Sequence, residues 1–112
     1  MTVQELVPRI EGELLSPGID PQRPVSCGYA CDLLSWVMAH GKKDMAWITV
    51  QTHLNVIAVA SLAEMSCVIL PESIRMEEVP LVKARQEGIA VITSRLCAYE
   101  LCARMSLLGI PA

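Results

Sequence analysis

Met45-Ala46-Trp47-Ile48-Thr49-Val50-Gln51-Thr52-His53-Leu54-Asn55-Val56-Ile57-Ala58-Val59-Ala60 passes from a short apolar run, through polar Gln51, Thr52 and His53, into a longer helix-like apolar stretch. Such a run followed by ten or more helix formers reads as a strand and a helix joined at a corner. Thr52 is the expected N-cap, and the helix is expected from about His53 to Met65. The same pairing recurs on both sides. Upstream, Val25 to Ala30 is a candidate strand, Asp32 a candidate N-cap, and Leu33 to Ala39 a helix ended at Gly41. Downstream, Cys67-Val68-Ile69-Leu70 precedes a helix from about Met76 to Glu87, closed by Gly88. Ile89-Ala90-Val91-Ile92-Thr93 then precedes a helix from Arg95 to Leu108, closed by Gly109. In that last helix Leu96, Tyr99 or Glu100, Ala103 and Leu107 recur at spacings of three and four, which predicts an inward face.

Short all-apolar strands alternating with helices belong to a sheet buried on both faces. The expected fold class is α/β: a three-layer sandwich with a mainly parallel sheet built from repeated βα units. Before these units, Thr2 and Glu5 have the spacing of a capping box and predict a helix to about Ile10. Glu13-Leu14-Leu15 is a candidate short strand. Pro17, Gly18, Pro21 and Pro24 mark a loop.

The 112 residues suit one domain, 1–112. Hydrophobic residues make up 53% and charged residues only 19%, so surplus apolar surface is expected to be buried between subunits, as in a homodimer. The apolar residues never form the run of about 20 that a membrane span needs, and the N-terminus lacks a basic region followed by an apolar stretch. The sequence therefore predicts a cytoplasmic protein with no membrane partner. A net charge of -3, with nine scattered Lys and Arg residues, argues against nucleic acid as a partner. Five cysteines, an odd count, do not suggest a disulfide framework, and small buried hydrophobes account for most of them.

In parallel sheets ligands bind beyond the carboxyl ends of the strands, where loops lead into helix N-termini. That rule selects Asp32, then Thr49, Gln51, Thr52, His53 and Asn55, and then Thr93 and Ser94 as candidate ligand-binding residues. A small anionic or nucleotide-like ligand, or a partner protein, is the expected occupant. His53 has no carboxylate or cysteine placed beside it by sequence, so no catalytic residue is assigned and the chain is read as no enzyme. Arg95 would reach an anion at the last corner or lie solvated. Cys27 and Cys31 are spaced to share one face of a strand, which leaves a metal- or thiol-dependent protein using them or His53 as an alternative. A purely structural assembly domain is a second alternative. No phosphate-binding glycine motif is present, and no cofactor or resident metal is expected.

The pattern of Ala30-Cys31-Asp32-Leu33-Leu34, of Trp47 to Val56 with its alanine-rich continuation, of Val68-Ile69-Leu70 and of Ile89 to Thr93 resembles the DRTGG domain. That module is related to the N-terminal domain of HPr kinase/phosphorylase, accompanies CBS domains, and occurs in some phosphotransacetylases. The resemblance covers most of the chain and implies an HPr kinase N-terminal-domain-like fold with a regulatory role. The family takes its name from an Asp-Arg pair after one strand and Thr-Gly-Gly after the next. Here the matching places read Thr52-His53 and Pro71-Glu72-Ser73. The resemblance thus implies a rebuilt site whose ligand contacts do not transfer by identity.

Overall fold

A computed structural model describes residues Met1–Ala112. Five strands form one sheet in the order β1-β5-β4-β3-β2. They are β1 (Gly12–Leu14), β2 (Cys27–Ala30), β3 (Met45–Ile48), β4 (Cys67–Leu70) and β5 (Ala90–Ser94). Four are parallel, and β1 runs antiparallel beside β5 with Gly12 opposite Ser94. Helices α1 (Val3–Arg9), α2 (Leu34–His40), α3 (Leu54–Leu62), α4 (Glu78–Glu87) and α5 (Ala98–Leu107) complete the α/β sandwich. The mainly parallel sheet of repeated βα units is the one expected.

The layers follow from the two-residue period of the strands. Met45, Trp47, Val68, Leu70 and Val91 point to the face covered by α2, α3 and α4, where they meet Val37, Ile57 and Ala84. Ala46, Ile48, Cys67, Ile69, Ala90 and Ile92 point to the other face, against Leu6 of α1 and Leu101 and Met105 of α5. Every residue of β3, β4 and β5 is buried, which is why these strands read as continuous apolar runs. No helix is long and apolar enough to cross a membrane.

The inward face of α5 differs from the expected one. Leu101 and Met105 are buried, while Tyr99 and Leu107 are 84% and 87% exposed. The helix begins at Ala98 rather than Arg95, so Leu96 belongs to the preceding turn and the phase of the stripe shifts. α3 starts and ends inside its expected range, at Leu54–Leu62, while α4 starts later than expected, at Glu78, and ends at Glu87 as expected.

Gly12 fits a tight approach: a methyl group there would lie 2.8 Å from Ile92 Cγ2 and 2.9 Å from the Val7 carbonyl oxygen. The glycine lets α1 and β1 press onto β5. The capping box of α1 is present, with Thr2 N–H donating to Glu5 and Glu5 N–H donating to the Thr2 hydroxyl. A second glutamate, Glu100, accepts from the Cys97 N–H at the start of α5.

These contacts set the acid response. Glu5 and Glu100 are held below the usual carboxylate value by the backbone amides of Thr2 and Cys97, Glu13 by Arg75, and Glu87 by Lys83. Depressed folded-state values add stability above the unfolded-state value of 4.5 and lose it as the pH falls through the lower folded-state values. All four carboxylates are open to solvent, so each contribution is small and salt-screened. The melting temperature is expected to be nearly flat from pH 7 to pH 5 and to drop below pH 4.5, less steeply in high salt.

Candidate functional site at the strand ends

The carboxyl ends of β2 and β3 are tied together by side chains. Asp32 Oδ1 accepts from the Thr49 hydroxyl and from the Val50 N–H, both at 2.9 Å. Gln51 Nε2 donates to the Asp32 carbonyl at 3.1 Å, and Trp47 Nε1 donates to the Cys31 carbonyl at 2.7 Å. The Thr49 hydroxyl also accepts from the Gln51 N–H, turning the chain away from the sheet. Asp32 is therefore not the N-cap of α2. Leu33 occupies that position with no side-chain cap, because the Asp32 carboxylate reaches across to the next strand instead.

The N-cap of α3 is His53, not Thr52: the Asn55 N–H donates to His53 Nδ1 at 3.0 Å. That bond requires an unprotonated Nδ1, and it leaves the exposed imidazole's Nε2 as the N–H position. Thr52 is half-buried and Asn55 exposed. Beside this corner is a cleft of about 130 Å³ lined by Ala30, Cys31, Asp32, Ile48, Thr49, Val50, Pro71 and Ala98. Of the eight expected site residues, Asp32 and Thr49 line it. Gln51 joins them by hydrogen bonding, and Thr52, His53 and Asn55 follow at the start of α3.

Thr93 and Ser94 stand apart. They lie in β5, and β4 separates that strand from β3, so they are two strand spacings, about 10 Å, from the Thr49 position. Both are buried, and their hydroxyls donate inward at 2.6 Å, Thr93 to the Ile74 carbonyl and Ser94 to the Ile10 carbonyl. Neither caps α5. Arg95 pairs with Glu11 at 2.6 Å, and Arg104 holds the other oxygen of the same carboxylate.

The Pro71-Glu72-Ser73 turn has a backbone signature. Glu72 and Ser73 have φ of 56° and 57°, a left-handed conformation that favours glycine. Their amides donate to the carbonyls of Leu96 and Ser94 at 2.9 and 2.8 Å, which pins this conformation. Two consecutive non-glycine residues thus hold a conformation that glycine adopts at least cost. Glu72→Gly and Ser73→Gly are each expected to raise stability by about 1 kcal/mol, read from urea unfolding.

Fewer of the cysteines are buried than expected, two of the five. Cys27 and Cys67 are buried, Cys31 and Cys97 half-buried, and Cys102 exposed. Burial pushes the Cys67 thiol up to about 12. Cys27 and Cys31 do face the same side of the sheet. No cluster of three or more His, Cys, Asp or Glu side chains stands in a position to hold a metal ion.

The whole fold matches a solved one: the crystal structure of the CBS and DRTGG domains of the regulatory region of Clostridium perfringens pyrophosphatase, complexed with its activator diadenosine tetraphosphate. The TM-score is 0.71 at 10% identity, over 98% of this chain and 47% of that one. In fold, the chain is DRTGG-like. At that identity the likeness concerns the fold, and the chain spans about half of the matched structure. No family model matches the sequence, and neither does any curated protein.

Ala30, Ile48, Val50, Pro71 and Ala98, which also line the strand-end cleft, were not expected as site residues. Apolar strand-end residues look like core in a sequence. Trp47 offered a signal, because a buried indole N–H needs an acceptor.

Proposed function

We propose that this chain is a non-catalytic regulatory or sensory module, one DRTGG-like unit spanning 1–112, that binds a small ligand at the carboxyl ends of its parallel strands. The observation that carries the reading is the polar corner formed by Asp32, Thr49 and Gln51 beside a cleft, at the place where parallel sheets hold ligands. The Clostridium perfringens region is regulatory and carries a nucleotide activator, which supports a nucleotide-like ligand here. The proposed contacts are Asp32, Thr49 and Gln51, with Thr52, His53 and Asn55 at the rim. The inward bonds of Thr93 and Ser94 favour a structural part for them.

A cytoplasmic homodimer belongs to the same proposal. α2 and α3 contain no Asp, Glu, Lys or Arg, yet Trp36, Met38 and Leu62 on them are more than half exposed. A surface of that kind fits a partner protein or a second copy. Sedimentation velocity would show the dimer, and a monomer at all concentrations would remove it.

A thermal-shift panel of nucleotides, acyl phosphates and metal ions tests the ligand reading. A ligand at 100 times its dissociation constant adds about 2.7 kcal/mol, a shift of several degrees in a domain of this size. Absence of any response across the panel would favour a purely structural assembly role instead.

A further inference from the structure

The cleft at the corner adjoins a larger one. About 350 Å³ lies between β2 and α5, and the two clefts share Ala30 and Ile48 as walls. Together they reach the size of small-molecule sites. The larger cleft is lined by Gly28 from β2, by Met105 and Ser106 from α5, and by Ile110. A methyl group on Gly28 would lie 3.0 Å from Met105 Cε and 3.8 Å from Ile110 Cγ2. Met105 Cε therefore packs directly onto the bare glycine, whose N–H donates to the Pro111 carbonyl at 2.8 Å, and the cleft beside them is walled by a thioether and a branched apolar side chain. Those surfaces suit a flat ring.

Charge narrows the class further. Neither cleft is lined by Lys or Arg, and Asp32 is the single charged side chain in either. Its Oδ1 takes two hydrogen bonds, while Oδ2 takes none. A phosphate seated beside this carboxylate would meet repulsion with no lining cation to offset it. A hydroxyl or amino group would instead donate a charge-assisted hydrogen bond to it.

We infer that the two clefts form one site for the uncharged, nucleoside-like end of a ligand. A flat heterocycle lies in the larger cleft between β2 and α5, against Met105 and Ile110, and hydroxyl groups donate to Asp32 Oδ2. Any phosphate stays outside in water. This rests on the ligand-binding reading above and specifies which part of the ligand is held.

The test titrates adenosine, guanosine, cytidine and uridine, then AMP and inorganic phosphate, into the isotope-labelled chain while amide resonances are followed. At least one nucleoside is expected to shift Gly28, Ala30 and Ser106 saturably. Its monophosphate is expected to bind no more tightly, and phosphate alone to leave these amides unmoved. Ser106→Trp, made on the exposed side of α5, fills the larger cleft and is expected to weaken nucleoside binding at least tenfold with the melting temperature unchanged. Tighter binding of AMP or phosphate than of nucleosides, no nucleoside response at these amides, or full affinity in Ser106→Trp would overturn the inference. If phosphate-bearing probes then move residues 49–55, the corner still binds ligand and only the nucleoside assignment fails. Silence in both regions removes both.

Discussion

Trp47→Ala is expected to cost about 3–5 kcal/mol, the largest effect of any single truncation in this chain. Trp47 is fully buried in β3, among side chains from β2, β4 and the α2–α3 layer. Its indole N–H is also a bond between β3 and the turn that carries Asp32. Truncation therefore opens a cavity and leaves the Cys31 carbonyl without its donor. Trp47→Phe separates the two effects, because the ring stays and the N–H goes. A loss of about 1–2 kcal/mol is expected for it, with amide-shift changes concentrated at residues 31–33. Urea unfolding followed by circular dichroism gives both values. A Trp47→Ala loss below 1 kcal/mol would contradict the packing described.

Ser94→Ala is expected to cost about 3 kcal/mol although it removes a single oxygen. The hydroxyl donates to the Ile10 carbonyl and accepts from the Leu96 N–H, and all three residues are buried. Removing it orphans a donor and an acceptor together, each worth about 1–3 kcal/mol. It also loosens the link between the end of α1 and the turn that leads to α5. Ser94→Thr keeps both functions and is expected to recover part of the loss, limited by the space for its methyl group. If Ser94→Ala unfolds like the parent yet loses ligand response, Ser94 is a contact residue and its proposed structural part is wrong.

The readable and unreadable parts of this fold divide along physical lines. Strands β3, β4 and β5 are visible in the sequence because burial on both faces leaves no polar residue in their centres. The thin first strand was also recoverable, since Gly12 and the prolines that follow it bracket so few residues. Helix starts were less legible. Asp32, Thr52 and Ser94 all have the composition of N-caps, yet each side chain or its neighbour took another partner: Thr49 for Asp32, Ile10 for Ser94, and His53 in place of Thr52. Local propensity names the residue types able to cap, but tertiary contacts choose among them.

The site divides the same way. Proximity of Asp32 to Thr49 follows once β2 and β3 are parallel neighbours, so sequence reasoning reached it. Thr93 and Ser94 lie two strands from Thr49, because β4 intervenes between β3 and β5, an order the chain alone does not state. The Glu72-Ser73 turn is a case of geometry that residue identity does not announce. Neither Glu nor Ser favours φ above zero, yet the backbone there has the paired left-handed conformation that glycine would adopt at least cost.

Hydrogen–deuterium exchange with and without nucleotide tests the ligand-binding claim most directly. Peptides covering residues 28–33 and 47–55 are expected to exchange more slowly in saturating nucleotide, while α4 and β1 stay unchanged. Protection confined to α4 or the α1 end of the molecule, or no protection anywhere in the panel, would contradict a ligand site at the carboxyl ends of β2 and β3.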